Sequence, residues 1–400
     1  MSTHDEDRLA HGLRERAGDV QGAPVGLADV QRSARGIQRR RRAVGGVVAA
    51  VVLAVAVPVG LNAATGPRAD RPAAPATTSP SVPPVTPSPS RRTGEPVPLT
   101  VSGAPTGAPA ALAYLRGTTV LVPGADPAEL PAAYDTVAAY RGGWLAVQRR
   151  QGTPYVVHLD ASGQVLGSRP GGDRIVVSQD GVEVSWVEGD RLYLDTTNGH
   201  SEQPRSIALP AGASASPVGF VGPGAVLARV DGPEDDYWVT SFEDFQVVRG
   251  LLSVRATDES HGVLGAQTSY SNQTGTSCWA LRTDAGGDPE PKTCDWTIER
   301  FSADGAHFAG YPSGTDGLGS AAVALLDSAT ATPVVTFQRR GDGVTFVADV
   351  AWEDGTHALA SLYEDGRWYL VRLGLDGSLE RLDEAPGAPE ESPFHFAARP

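Results

Sequence analysis

Short strand-like runs ending in aspartate recur through the chain at a nearly constant interval. The motifs are HLDASG (158–163), YLDTTNG (193–199), LLDSAT (325–330) and LGLDGS (373–378), with aspartates Asp160, Asp195, Asp327 and Asp376. Weaker members, Glu243 and Asp284, fill the gap, and the six positions step by 35, 48, 41, 43 and 49 residues. A unit of about 43 residues holding four short strands cannot bury its own apolar face. Such units become stable when stacked radially as the blades of a β-propeller. The expected fold class is therefore all-β.

A second series keeps the same register. Ser178-Gln179-Asp180-Gly181, Ser302-Ala303-Asp304-Gly305 and Trp352-Glu353-Asp354-Gly355 each join one strand to the next, Asp-Gly supplying the positive φ of a tight hairpin. These Ser-x-Asp-Gly turns resemble those of TolB-like and WD40-like propellers. The recurring Gly-His and Trp-Asp dipeptides of true WD40 repeats are missing, Gly199-His200 standing alone, so the resemblance extends to the broader family only. Blades can be laid out as 175–178, 182–187, 191–195, 205–209 and as 345–351, 357–363, 368–373, 378–382. Six such units fit between 137 and 385, leaving a hairpin at 111–122 and the segment FHFAAR (394–399). Phe394, Phe396 and Ala398 alternate with His395 and Ala397, the period of a half-buried strand. Pairing this strand with the hairpin completes a ring, which predicts seven blades, with six as the alternative.

The N-terminal quarter is of a different kind. Ala43–Leu61 carries no charge and follows four arginines, Arg39–Arg42. As a helix, about 19 residues at roughly 1.5 Å each match the hydrocarbon thickness of a bilayer. The flanking arginines predict a cytoplasmic N-terminus and an extracytoplasmic C-terminal domain. A cleaved signal peptide competes with this reading, because the small residues Ala63 and Ala64 follow the run. The predicted organisation is a short amphipathic helical region over 1–42, a transmembrane helix over 43–62, a Pro-rich disordered linker over 63–98 and the propeller over 99–400. Ten prolines between 66 and 98, with almost no bulky apolar side chains, prevent that linker from offsetting its ordering entropy by burial.

Within 1–42, Leu9, Leu13, Ala17 and Val20, then Leu27, Val30, Ala34 and Ile37, recur at helical spacing. This stretch resembles the cytoplasmic N-termini of actinobacterial membrane proteins associated with extracytoplasmic-function sigma factors. The resemblance implies a sigma factor as inner partner. The zinc-binding His and Cys pattern of some of those regulators is missing. One lysine among 33 basic residues also resembles GC-rich actinobacterial coding.

Net charge is −14; the first 42 residues carry +3, leaving −17 beyond them. So acidic an exterior excludes nucleic acid as a partner. Cys278 and Cys294, an even count on the outer side, predict a disulfide joining neighbouring strands of one blade. Two cysteines about 16 residues apart do not make a metal site. No Gly-x-Ser-x-Gly elbow, phosphate loop or His-Glu-x-x-His pair occurs, so no catalytic residue, cofactor or metal is expected. The histidines His158, His200, His261, His307, His357 and His395 are scattered without ligand spacing.

Loop length is the remaining asymmetry. Loops between second and third strands are tight in three blades and lengthen at 231–236, 270–277 and 312–320. Asp235, Asp236, Asn272 and Asp316 are the candidate ligand-face residues there. The functional expectation is a membrane-anchored, non-catalytic binding or sensing module with a protein or cell-wall ligand outside. The alternative is an anti-sigma-like transmembrane regulator.

Overall fold

The computed structural model describes residues 95–198, 203–231, 236–248, 251–271, 273, 275–283, 290–315, 319–341 and 343–398. These all lie within the unit Ala50–Pro400. The predicted helical region, the transmembrane segment and the linker up to residue 94 lie outside the described residues. Among the described residues there is no helix, and the β-propeller arrangement is explicit in the strand order.

Apart from two strands contributed by distant parts of the chain, each sheet is an antiparallel meander, because short alternating runs joined by tight turns pair with their sequence neighbours. In chain order, one sheet is Ser214–Gly222, Ala225–Asp231, Asp236–Thr240 and Phe245–Val248. The next is Ser253–Asp258, Val263–Tyr270, Ser277–Thr283 and Lys292–Thr293. Arg300–Phe301, His307–Gly310, Ala322–Asp327 and Pro333–Gln338 follow, and then Thr345–Trp352, His357–Glu364, Arg367–Gly374 and Leu379–Pro386. The first-named strand of each sheet lies innermost. Trp186, Trp279, Trp368 and Phe308 fill the space between sheets, all nearly or fully buried, as strand tryptophans should.

The ring closes with the two ends of the domain. Phe394–Phe396 adds antiparallel to Tyr114–Arg116, with Tyr114 opposite Phe396 and Arg116 opposite Phe394. Thr119–Leu121 and Ala128–Glu129 complete that sheet. Phe394 and Phe396 pack with Leu112, Tyr114, Leu359, Trp368 and Leu370 of the last sheet. On the other side the Ala398 amide donates to the Val137 carbonyl at 2.7 Å. The predicted pairing of 394–399 with 111–122 is thus present.

Two expectations are corrected. Seven (or six) separate four-stranded blades were predicted, but five sheets are separate blades, and 136–208 forms one seven-stranded sheet. The reason is Val165–Val177, a single 13-residue strand that pairs with Thr153–Leu159 through its first half and with Glu183–Glu188 through its second. The blade laid out from 175 therefore does not start a new strand: Pro170-Gly171-Gly172 lets the strand bend without breaking. A Cβ on Gly171 would lie 2.2 Å from the Val187 carbonyl oxygen, so glycine there permits the close approach. Second, the predicted linker reaches too far. Val97–Pro98 pairs in parallel with Phe337–Gln338 at the outer edge of its sheet, and Val97 is buried.

Candidate functional site

The repeating aspartates build the turns. Asp160 accepts from the Ser162 amide and hydroxyl and from the Gln164 amide, and these bonds hold its carboxyl below the usual range. Asp327 and Asp376 accept from the Thr330 and Ser378 amides in the same way. Asp195 is buried and accepts from the Tyr140 hydroxyl at 2.7 Å and the Arg141 guanidinium at 2.7 Å, tying one hairpin to another. Glu243 has no such bond among the described residues, and Asp284 lies outside them.

The Ser-x-Asp-Gly turns repeat one network. Ser178 and Ser302 donate their hydroxyls to Asp180 and Asp304 at 2.6 Å, and those carboxylates accept from the Val182 and Ala306 amides. In the third turn, Asp354 accepts from the Thr356 amide and hydroxyl and the His357 amide. Burial pushes its carboxyl up, but those bonds outweigh it and bring it down to about 2. Every one of these groups is engaged in local structure.

Of the predicted ligand-face residues, Asp235, Asn272 and Asp316 lie outside the described residues. Asp236 opens the strand Asp236–Thr240, its backbone opposite Val230. The sulfurs of Cys278 and Cys294 are 1.97 Å apart, at disulfide distance, on the third strand and at the end of the fourth strand of one sheet.

The site that sequence reading missed is the central channel. It is a cavity of about 230 Å³ walled by inner strands, reaching from Asp135 and Arg174 through Val218 and Arg255 to Arg300, Asp349 and Ala397. A smaller space of about 120 Å³, lined by Arg174, Arg255, Glu299, Arg300, Tyr311, Ala348 and Asp349, shares part of that wall. The turn-side end is braced by Gln179. Its amide N–H donates to Glu259 at 2.7 Å, its side-chain oxygen accepts from the Ser260 amide at 2.9 Å, and its side-chain NH₂ donates to the Ala303 carbonyl. Three turns from three sheets meet there.

The channel charges are unequally served. Arg255 pairs with Glu299 and stacks over Trp279 at 5.1 Å. Asp173 accepts from the Ser216 hydroxyl at 2.6 Å and pairs with Arg149. The side chains of Arg174 and Arg300 make no hydrogen bond or ion pair to another described residue. Arg174 is open to water yet walled in by protein; that confinement first, and the Arg300 charge second, push its guanidinium below its ordinary value. Tyr311 follows the strand His307–Gly310, pinned at both backbone groups by Thr297: its carbonyl accepts at 2.7 Å and its amide donates at 2.9 Å. Its hydroxyl is buried without a hydrogen-bond partner among the described residues, and burial raises its pKa well above the ordinary value.

A signal for these residues was present. Arg174, Arg255, Arg300 and Asp349 each stand two to four residues before an inner-strand turn, inside runs such as RIVVS, RATD and RFS. A charge on an inner strand points either into the core, at high cost, or into the channel.

No family model matches the chain, nor does any curated protein. Solved structures do. The WD40 domain of Toxoplasma gondii coronin aligns with 12% identity over 74% of this chain and 79% of that one, at a TM-score of 0.42. Kluyveromyces lactis Hsv2p aligns with 11% identity over 70% and 99% of the two chains, at 0.39. A candidate TolB from Agrobacterium tumefaciens aligns with 12% identity over 70% and 91%, at 0.33. The propeller assignment rests on the strand order and ring closure described above.

Proposed function

We propose that the chain is a single-span membrane protein whose extracytoplasmic propeller is a non-catalytic binding or sensing module, with its ligand taken up in the central channel. One observation carries the binding half of this reading. The turn carboxylates Asp160, Asp180, Asp304, Asp327, Asp354 and Asp376 are engaged in local hydrogen bonds, whereas Arg174, Arg300 and the Tyr311 hydroxyl line the channel without a partner among the described residues. Groups committed to turn geometry are not free to exchange protons with a substrate. Guanidinium groups, which stay charged at any physiological pH, favour binding over acid-base work.

The anchor half rests on the uncharged run Ala43–Leu61 and the arginines ahead of it. External protease on intact cells is expected to release a fragment beginning within 66–98 while 1–42 stays protected. A mature protein starting near Ala64 would refute the anchor. The anti-sigma-like alternative is favoured by the helically spaced apolar residues of 1–42. Crosslinking the full chain in cells and identifying a sigma factor at 1–42 would establish it over simple anchoring.

A further inference from the structure

We infer that the narrow part of the channel is a binding site for a small monovalent carboxylate, held by Arg174, Arg300 and the Tyr311 hydroxyl. This rests on the reading of the propeller as a binding module and names its ligand class.

Charge balance points to a monovalent anion. Arg255 and Glu299 neutralise one another, and Asp173 is served by Arg149 and Ser216. That leaves two guanidinium groups, Arg174 and Arg300, against one carboxylate, Asp349, which accepts from its neighbour's amide at 2.8 Å. The surplus is a single positive charge, set inside a chain of net charge −14. Two like charges lining one narrow space repel, and an anion between them relieves that repulsion.

The donor geometry fits a carboxylate. Each guanidinium offers a planar pair of N–H donors, which matches two carboxylate oxygens. Tyr311, held at both backbone groups by the amide and hydroxyl of Thr297, adds a buried O–H. A buried hydroxyl without a partner costs stability unless a ligand engages it. A dianionic phosphate suits the site less well, because Asp349 and Glu299 line the same 120 Å³ and would repel its second charge.

The test is calorimetric and thermal titration of the full chain in mild detergent, using acetate and lactate as probes and inorganic phosphate as the contrasting anion. Saturable binding of a carboxylate is expected. Arg174→Gln and Arg300→Gln should each weaken it by at least about tenfold, the loss of a charge-assisted hydrogen bond. Tyr311→Phe should weaken it by about three- to tenfold while leaving the ligand-free melting temperature unchanged or higher, since it removes an unsatisfied buried group. A merely structural tyrosine would give the opposite thermal result. Carboxylate binding that is absent, or unchanged in both arginine variants, overturns the site. Tighter binding of phosphate than of either carboxylate overturns the ligand class. Chemical conversion of the bound carboxylate would support the site and refute the non-catalytic reading, so the two fail separately.

Discussion

Replacing Phe394 by alanine tests how the ring is locked. Phe394 is 0% exposed, its ring lies 6.2 Å from that of Tyr114, and it packs against the last sheet through Trp368 and Leu370. Truncating a buried phenylalanine costs about 3–5 kcal/mol, transfer and cavity terms together. Unfolding entropy of about 2.1 cal/mol/K per residue over roughly 300 residues gives about 0.6 kcal/mol per degree, so the melting temperature should fall by about 5–8 °C. Deleting 393–400 should cost more, because Phe396 is lost as well, the Tyr114–Arg116 edge is uncovered and the Ala398–Val137 hydrogen bond disappears. The assay is a thermal melt of full-length variants by circular dichroism, with hydrogen exchange at 114–116 as a local readout. If the deletion melts within about 1 °C of the parent and leaves exchange at 114–116 unchanged, the C-terminal strand does not close the ring and the reasoning fails.

Reducing the Cys278–Cys294 bond reopens a loop of 16 residues and should cost about 3 kcal/mol; labelling of both thiols in the folded, unreduced protein would refute the pairing. Asp195→Ala leaves the buried Tyr140 hydroxyl without its acceptor and should cost about 1–3 kcal/mol in urea unfolding; an unchanged midpoint would show that the tie contributes nothing. Asp354 titrates near 2 in the folded chain, below its ordinary value of 3.8, so its contribution is present above about pH 4 and lost as pH falls toward 2. The carboxylate is about half exposed, which limits the effect to less than about 1 kcal/mol. Asp354→Asn should therefore be slightly less stable at pH 7 and lose less between pH 4 and pH 2; equal acid sensitivity of the two proteins would count against it.

What was legible in the sequence is what local chemistry controls. An Asp-Gly pair specifies a tight hairpin wherever it stands, so the turns at 178–181, 302–305 and 352–355 join antiparallel strands as the sequence indicates. The alternation of Phe394 and Phe396 was equally local, and it located the closing strand. The continuity of Val165–Val177 was not legible because Pro170-Gly171-Gly172 suits a loop as well as a bend, and only the close approach of Val187 decides between them. Val97–Pro98 was assigned to the linker for a related reason: its partner, Phe337–Gln338, lies some 240 residues away. The channel was missed because no spacing rule joins Arg174 to Arg300. They become neighbours only when the inner strands are arranged about a common axis.

The outer-edge strand Val97–Pro98 fixes where a mechanical pull enters the propeller. Tension arriving from the chain ahead of Glu95 is not applied to the closing strand at Phe394–Phe396. It reaches Pro333–Gln338 through two parallel residue pairs, the Leu99 amide bond to the Gln338 carbonyl at 2.9 Å, and the contacts of Arg340 with Glu95 and Pro96. Behind it the chain stays attached: Leu99 and Val101 are buried in the core, the Val101 amide donates to Glu364 at 2.9 Å, and residues 105–107 exchange backbone hydrogen bonds with Arg381 of the last sheet. A pull along this chain is therefore shared between two neighbouring sheets before it reaches Tyr114–Arg116, the partner of the closing strand.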